Sequence, residues 1–217
     1  MKDDVQLERP WLVFDLSAPK RVLSWTLNRP GFVTAGRILW REVRNADLPV
    51  ELDVKHWFET ELAQRGEART PAFLTSRDIG QYCLSDHATG GVAARAVATV
   101  GLSNAERVGF RRAPMQFTTG TVNIAVELDT ALSDAGLLEA MSIAVQARTA
   151  AIIDADIPLA TGPATGTGTD CVAVAAPPGD ADFAGLHTEV GEAVGRAVYD
   201  AVFSGAVDWK AEQAGLR

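Results

Sequence analysis

The sequence predicts a single domain of α+β or mixed α/β class, a mixed β-sheet packed with helices. Three observations predict it. Residues 1–45 are rich in β-formers, strand-like and helix-like segments follow in mixture, and two long helical patterns occupy the second half. No internal repeat or low-complexity linker divides residues 1–217, and this length suffices for one large core.

Taken in order, Trp11-Leu12-Val13-Phe14 is a short apolar strand, Arg21–Leu27 alternates, and Phe32–Val43 is again β-rich. Asn28-Arg29-Pro30-Gly31 supplies the turn between the last two. Val54, Trp57, Phe58 and Leu62 recur at helical spacing, with Asp53 near the start and Gly66 past the end. Pro71–Ser76 reads as a short strand, Asp78–Leu84 as a short helix, and Ser85–Gly91 as a turn. Val92–Leu102 and Gly120–Leu128 read as strands. Ser133–Asp154 is the clearest helix, with Leu137, Leu138, Met141, Val145 and Ile152 near one face. Cys171–Ala176 is an apolar strand, and Thr188–Phe203 the last helix, apolar at Val190, Val194, Val198, Ala201 and Val202.

Bulk composition narrows the function classes. Hydrophobic residues make up 47% and charged residues 22%, as in ordinary globular chains. The formal net charge of -8 argues against nucleic acid or an anionic membrane as partner, because both need a basic footprint. Cys83 and Cys171 have no metal-like spacing and indicate no disulfide framework. The acidic N-terminus lacks the apolar stretch of a signal peptide, and no apolar run has the length of a membrane span. The expectation is a cytoplasmic protein with a small-molecule ligand; a homo-oligomer is left open.

Chemistry concentrates in loops. Ala164 to Asp170 alternates glycine with Thr165, Thr167 and Thr169. Glycines let backbone approach a ligand closely, and the hydroxyls and carboxylate offer donors and acceptors. A tight turn between helix and strand accounts for the same residues. A phosphate loop does not fit, since no Gly-Lys-Ser or Gly-Lys-Thr is present and a strand rather than a helix follows. A nucleotide-binding module is disfavoured accordingly. Gly101-Leu102-Ser103-Asn104-Ala105 and Gly120-Thr121-Val122-Asn123-Ile124 carry similar neutral groups, readable as turn caps or as contacts to an amide-rich ligand. His187 precedes Thr188, a plausible N-cap, with Glu192 one turn on. A histidine there is either a general base or an idle surface residue. His56, in an amphipathic helix, reads as structural, and His87 as solvated.

Distance leaves the pairing of Asp170 with His187 open. The intervening strand rises roughly 20 Å, and the loop 177–186 spans up to about 33 Å, so His187 either returns beside Asp170 or stays at the far edge.

These segments, in this order and spacing, resemble the adenosylcobinamide amidohydrolases, the CbiZ family. The match includes Gly101–Ala105, Gly120–Ile124, Ala164–Asp170 and Gly185-x-His187 followed by Gly191-Glu192, with Leu23-Ser24 and Asn28 nearer the N-terminus. It runs from about Val22 to Val202. The resemblance implies hydrolysis of the amide joining aminopropanol to the corrin ring of adenosylcobinamide. The implied products are adenosylcobyric acid, which re-enters cobalamin synthesis, and 1-amino-2-propanol. No cofactor is expected beyond the cobalt carried by the substrate, and one well-placed histidine makes a weak ligand set for a metal site. Departures stand at Trp25, at Leu74-Thr75-Ser76-Arg77, and at Val145-Gln146-Ala147-Arg148, where the family has Thr-Glu-Ala-Lys.

Amide hydrolysis needs an activated water or nucleophile, an oxyanion stabiliser and an acid. The expected catalytic set is His187 as base, oriented by Asp170 or Glu192. Asn104, Asn123 and the loop amides are expected to hold the carbonyl. Ser24, Asn28, Ser103, Thr121, Thr165, Thr167 and Thr169 complete the expected substrate contacts. Ser103 and Thr121 are better candidate nucleophiles than Cys171, which opens a buried strand. Cleavage of the chain before Thr121, in the manner of N-terminal-nucleophile amidohydrolases, is a disfavoured alternative that an uncut intact mass excludes. The alternative function is a corrinoid-binding carrier or sensor without hydrolysis, motivated by Gln146 and Trp25.

Overall fold

The computed structural model describes residues 4–44, 47–110 and 120–215. An eight-stranded mixed sheet dominates, mostly antiparallel. Its strands are β1 (Val5–Glu8), β2 (Trp11–Ser24), β3 (Gly31–Glu42), β4 (Ala72–Thr75), β5 (Cys83–Thr89), β6 (Val92–Val100), β8 (Val122–Leu128) and β12 (Cys171–Ala176). The order is β4-β3-β2-β12-β8-β6-β5, with β1 also paired to β2. Small pairs join β7 (Ala105–Glu106) to β11 (Gly166–Thr167), and β9 (Pro158–Leu159) to β10 (Gly162–Pro163). Among the described residues there are three α-helices: α1 (Val54–Gln64), α2 (Asp134–Asp154) and α3 (Glu189–Gln213).

The apolar run at 11–14 and the first four residues of the run at 21–27 belong to one long strand, which ends at Ser24. It is interrupted between Asp15 and Lys20, where Leu16–Pro19 bulge opposite Gly36. Pro19 has no N–H for the ladder, so a bulge is where a strand tolerates it. The bulge bends the β2–β3 ribbon and folds the sheet over itself. Core membership records the bend. Along β12, Val172, Val174 and Ala176 pack toward α2 and α3, while Ala173 and Ala175 face the opposite side. There, with Val97 and Ala125, they meet Leu12, Phe14, Ile38, Trp40 and Phe73 of the folded-over half. The outer face of that half, Trp11, Val13, Leu39 and Ala72, is covered by Phe58 and Leu62 of α1. The layers therefore run helix pair, sheet, sheet, helix.

Small residues make the inner layers fit. Val97, Ala125, Ala173 and Ala175 are fully buried and leave room for the aromatic rings of Phe14, Trp40 and Phe73. Ala140, Ala144, Ala147 and Ala151 give α2 a flat buried seam, whereas Leu138, expected on that face, is 54% exposed. A methyl on Gly205 would stand 2.7 Å from Val100 Cγ2, which is how closely α3 approaches β6. Each helix has an N-cap: Asp53, Ser133 and Thr188 accept from the backbone N–H groups of His56, Gly136 and Gly191.

Other expectations need correction. Ser85–Gly91 is mostly strand β5, with the turn only at Gly90-Gly91, because its alternation pairs residue by residue with β6. The helix expected at Asp78–Leu84 is a single 3-10 turn, Ile79–Gln81. Against the expectation that no apolar run has the length of a membrane span, α2 is long and apolar enough to cross a membrane by length and composition. Half of that window is buried inside the domain, as a core helix requires.

Candidate functional site

The parallel neighbours β8 and β12 begin side by side, Asn123 opposite Cys171. Beside these starts lies a cleft of about 680 Å³. Its far wall is β4 and Ser76, and its rim is Trp25, Thr26 and Leu27 of the β2–β3 turn. Asn104, Gly120, Thr121, Asn123, Gly168, Thr169 and Asp170 form the polar side. The volume lies within the range of small-molecule sites.

Three separate loop segments are knitted together here by their own polar groups. The backbone N–H of Gly101 donates to the Thr121 carbonyl at 2.9 Å, and that of Gly168 to the Asn104 carbonyl at 3.3 Å. Thr169 Oγ1 donates to the Gly120 carbonyl at 3.0 Å. Thr121 Oγ1 lies 2.8 Å from the Thr169 carbonyl and 3.2 Å from Asn123 Oδ1. Gly120 is fixed by close approach: a methyl there would stand 2.8 Å from the Asn104 nitrogen and 2.9 Å from that of Ser103.

Asp170 organises this floor. Its carboxylate accepts from the backbone N–H of Val122 at 3.1 Å and of Thr167 at 3.0 Å, from the Thr167 hydroxyl, and from Arg148 of α2. A carboxylate has about four lone-pair sites, and these four donors occupy them. Asp170 is thus an anchor rather than a base awaiting a proton. Arg148 is the residue that the sequence reading missed as a site component. Its signal was available, since it is the lone basic side chain in α2.

The remaining expected residues divide by position. Asn104 and Asn123 both reach the cleft. Asn123 is buried and donates to the Leu74 carbonyl at 2.8 Å, tying β8 to β4 across the two sheet layers. Asn104 is half-buried, and its side-chain amide makes no hydrogen bond among the described residues. Ser24, Asn28 and Thr165 stand behind the wall. Ser24 bonds Thr26 and the Arg29 carbonyl; Asn28 donates to the Thr70 carbonyl and accepts from the Ala72 N–H; Thr165 accepts from the Val108 N–H. Ser103 is exposed on the loop outside the cleft lining.

His187 and Glu192 are not brought to this cleft. The loop after β12 stays at the other end of the strand. The Pro177 carbonyl accepts from Leu132, the Ala181 carbonyl accepts from Ser133, and the Ala184 N–H donates to Glu139, all beyond the C-terminal end of β8. Asp170 and His187 therefore sit at opposite ends of β12, which rises roughly 20 Å. His187 is exposed, and Glu192 lines an external groove between α2 and α3 together with Gln146 and Leu186. Gln146 bonds Ser142 at 3.1 Å. The departure at Gln146 thus lies on a different surface from the cleft. His187→Ala is expected to retain turnover within about twofold, because a surface substitution remote from the cleft changes little; a steady-state assay checks it.

Cys171 lies in the cleft, but burial pushes its thiol up to about 12, the effect of neighbouring Asp170 adding to it. The thiolate is the nucleophilic form, so burial disfavours Cys171 in that role. Among the described residues no group of three His, Cys, Asp or Glu side chains could hold a metal ion.

A rim of exposed apolar side chains completes the site. Trp25 and Leu27 are each 44% exposed, and the Trp25 indole is held in place by donating to the Asp170 carbonyl at 2.8 Å. The cleft thus joins a fixed apolar shelf to a floor of hydroxyls and amides anchored by the Asp170–Arg148 ion pair. No curated protein matches the chain. The family model described as adenosylcobinamide amidohydrolase matches residues 1–214, essentially the whole length, and the chain belongs to that family.

Proposed function

We propose that the cleft hydrolyses the amide between aminopropanol and the corrin ring of adenosylcobinamide, releasing adenosylcobyric acid and 1-amino-2-propanol. Adenosylcobyric acid then feeds cobalamin synthesis, and the cobalt belongs to the substrate. The observation that carries this reading is the pairing of the Trp25–Leu27 shelf with neutral polar groups. A corrinoid presents a broad face ringed by uncharged amides. The shelf takes that face while one amide arm descends to Asn104, Asn123, Thr121 and Thr169. A cytoplasmic location suits the reading.

Within the cleft, Asn104 donates to the carbonyl oxygen of the scissile amide, where negative charge develops. Thr121 supplies the nucleophilic hydroxyl from the start of a rigid central strand. Thr167, Asp170 and Arg148 keep the loop and strand in register.

Incubation of the purified protein with adenosylcobinamide, followed by chromatography, tests the proposal. The expected result is adenosylcobyric acid with an equal amount of 1-amino-2-propanol. Tight binding of unchanged adenosylcobinamide overturns hydrolysis in favour of a carrier or sensor.

A further inference from the structure

We propose that the chain cuts itself between Gly120 and Thr121, and that the freed α-amino group of Thr121 becomes the base of the active site. The second half of this statement rests on the amidohydrolase reading; the first does not.

Amide hydrolysis at a threonine hydroxyl needs a group to take its proton. The described lining contains no histidine, lysine or glutamate. Asp170 has its acceptor sites occupied by four donors, and Cys171 is held protonated. Residues 111–119 contain no histidine, lysine, cysteine or carboxylate either. One base remains available by covalent means. An α-amino group has an unperturbed pKa of about 7.7–8.0, and attached to Thr121 it sits beside that residue's own hydroxyl.

The bond before Thr121 is arranged for the cut. Thr121 Oγ1 is joined through its own backbone to the Gly120 carbonyl carbon by a short ring-closing path. The hydroxyl is 6%-exposed in residue terms and fixed between the Thr169 carbonyl and Asn123 Oδ1. Thr169 Oγ1 donates to the Gly120 carbonyl oxygen at 3.0 Å, where an oxyanion would form. Gly120 itself is clamped against Ser103 and Asn104 so closely that only glycine fits. Holding the reacting groups in one geometry removes much of the entropic barrier.

The chemistry balances. Oγ1 adds to the Gly120 carbonyl carbon, the Gly120–Thr121 C–N bond breaks, and the departing nitrogen takes the hydroxyl proton to become an amine. Water then hydrolyses the resulting ester, returning the Thr121 hydroxyl and leaving a Gly120 carboxyl group. No oxidant or metal enters the balance. The two pieces stay together, because the sheet interleaves them: β2 and β6 come from the first piece, β12 and β8 from the second, in the order β2-β12-β8-β6.

Intact-mass measurement of the purified protein under denaturing conditions is the test. The expected result is two chains, residues 1–120 and residues 121–217, the second with a free N-terminal threonine. Thr121→Ser is expected to be cut, and Thr121→Ala to remain one chain with hydrolysis lost altogether, because the nucleophilic hydroxyl and the α-amino base disappear together. Thr169→Val, which keeps the hydroxyl of Thr121, is expected to slow the cut about 10²-fold. A wild-type chain that remains whole overturns the proposal, whether or not it hydrolyses adenosylcobinamide. A cut chain that leaves adenosylcobinamide untouched upholds the processing and overturns the substrate reading instead.

Discussion

Asp170→Ala is expected to lower the unfolding free energy by about 3–5 kcal/mol and to abolish turnover. The size follows from what the substitution strands. Side-chain exposure is 7% for Asp170 and 13% for Arg148, so the pair is largely withdrawn from solvent. Removing one partner of a buried pair leaves an uncompensated charge. Arg148 is poorly placed to adapt, since its Nε is already buried without a hydrogen-bond partner. The same substitution releases the N–H groups of Val122 and Thr167, so loop and strand lose their common anchor. Asp170→Asn keeps the shape and some acceptor capacity and is expected to lose less. Urea denaturation gives the measurement, with an unchanged slope showing that stability alone moved. A loss below about 1 kcal/mol would show that the pair is not buried in the working protein.

Asn104→Ala is expected to reduce turnover by about 10²–10³-fold while leaving stability within about 0.5 kcal/mol. Here the side chain has nothing structural to do: its amide faces the cleft with no hydrogen bond among the described residues. Asn28 provides the contrast. Its amide is buried and used at both ends, donating to the Thr70 carbonyl at 2.8 Å and accepting from the Ala72 N–H at 3.1 Å. Asn28→Ala is therefore expected to cost about 1–3 kcal/mol of stability, the penalty for stranding buried partners. Kinetics and denaturation of the two variants side by side separate an asparagine that meets substrate from one that holds the wall. Equal kinetic and stability losses in both would remove Asn104 from its assigned role.

Much of the molecule was legible from sequence because local physics wrote it there. Helical spacing marks α2 and α3, and Ser133 and Thr188 mark where they begin. Alternation marks β2 and β3. Clustered Gly, Ser, Thr and Asn marks the segments that meet at the cleft, because such residues are the ones that permit tight loops and offer short polar groups. The segment around Gly90 misled because its polar alternation resembles a turn, whereas β5 is an edge strand with one face in solvent.

The sequence alone determined the class of the fold, the family resemblance and several of the polar segments that line the cleft. Only the tertiary structure decided which polar residues share it. A bulge at Leu16–Pro19 folds the sheet, so that Leu74 of β4 meets Asn123 of β8. Helix α2 delivers Arg148 to Asp170 across 22 positions of chain. The loop after β12 keeps His187 at the far end of the strand although its length allowed a return. Chain spacing limits how far two residues can be apart. Packing of layers selects where within that limit they stand, and that selection depends on contacts no local pattern encodes.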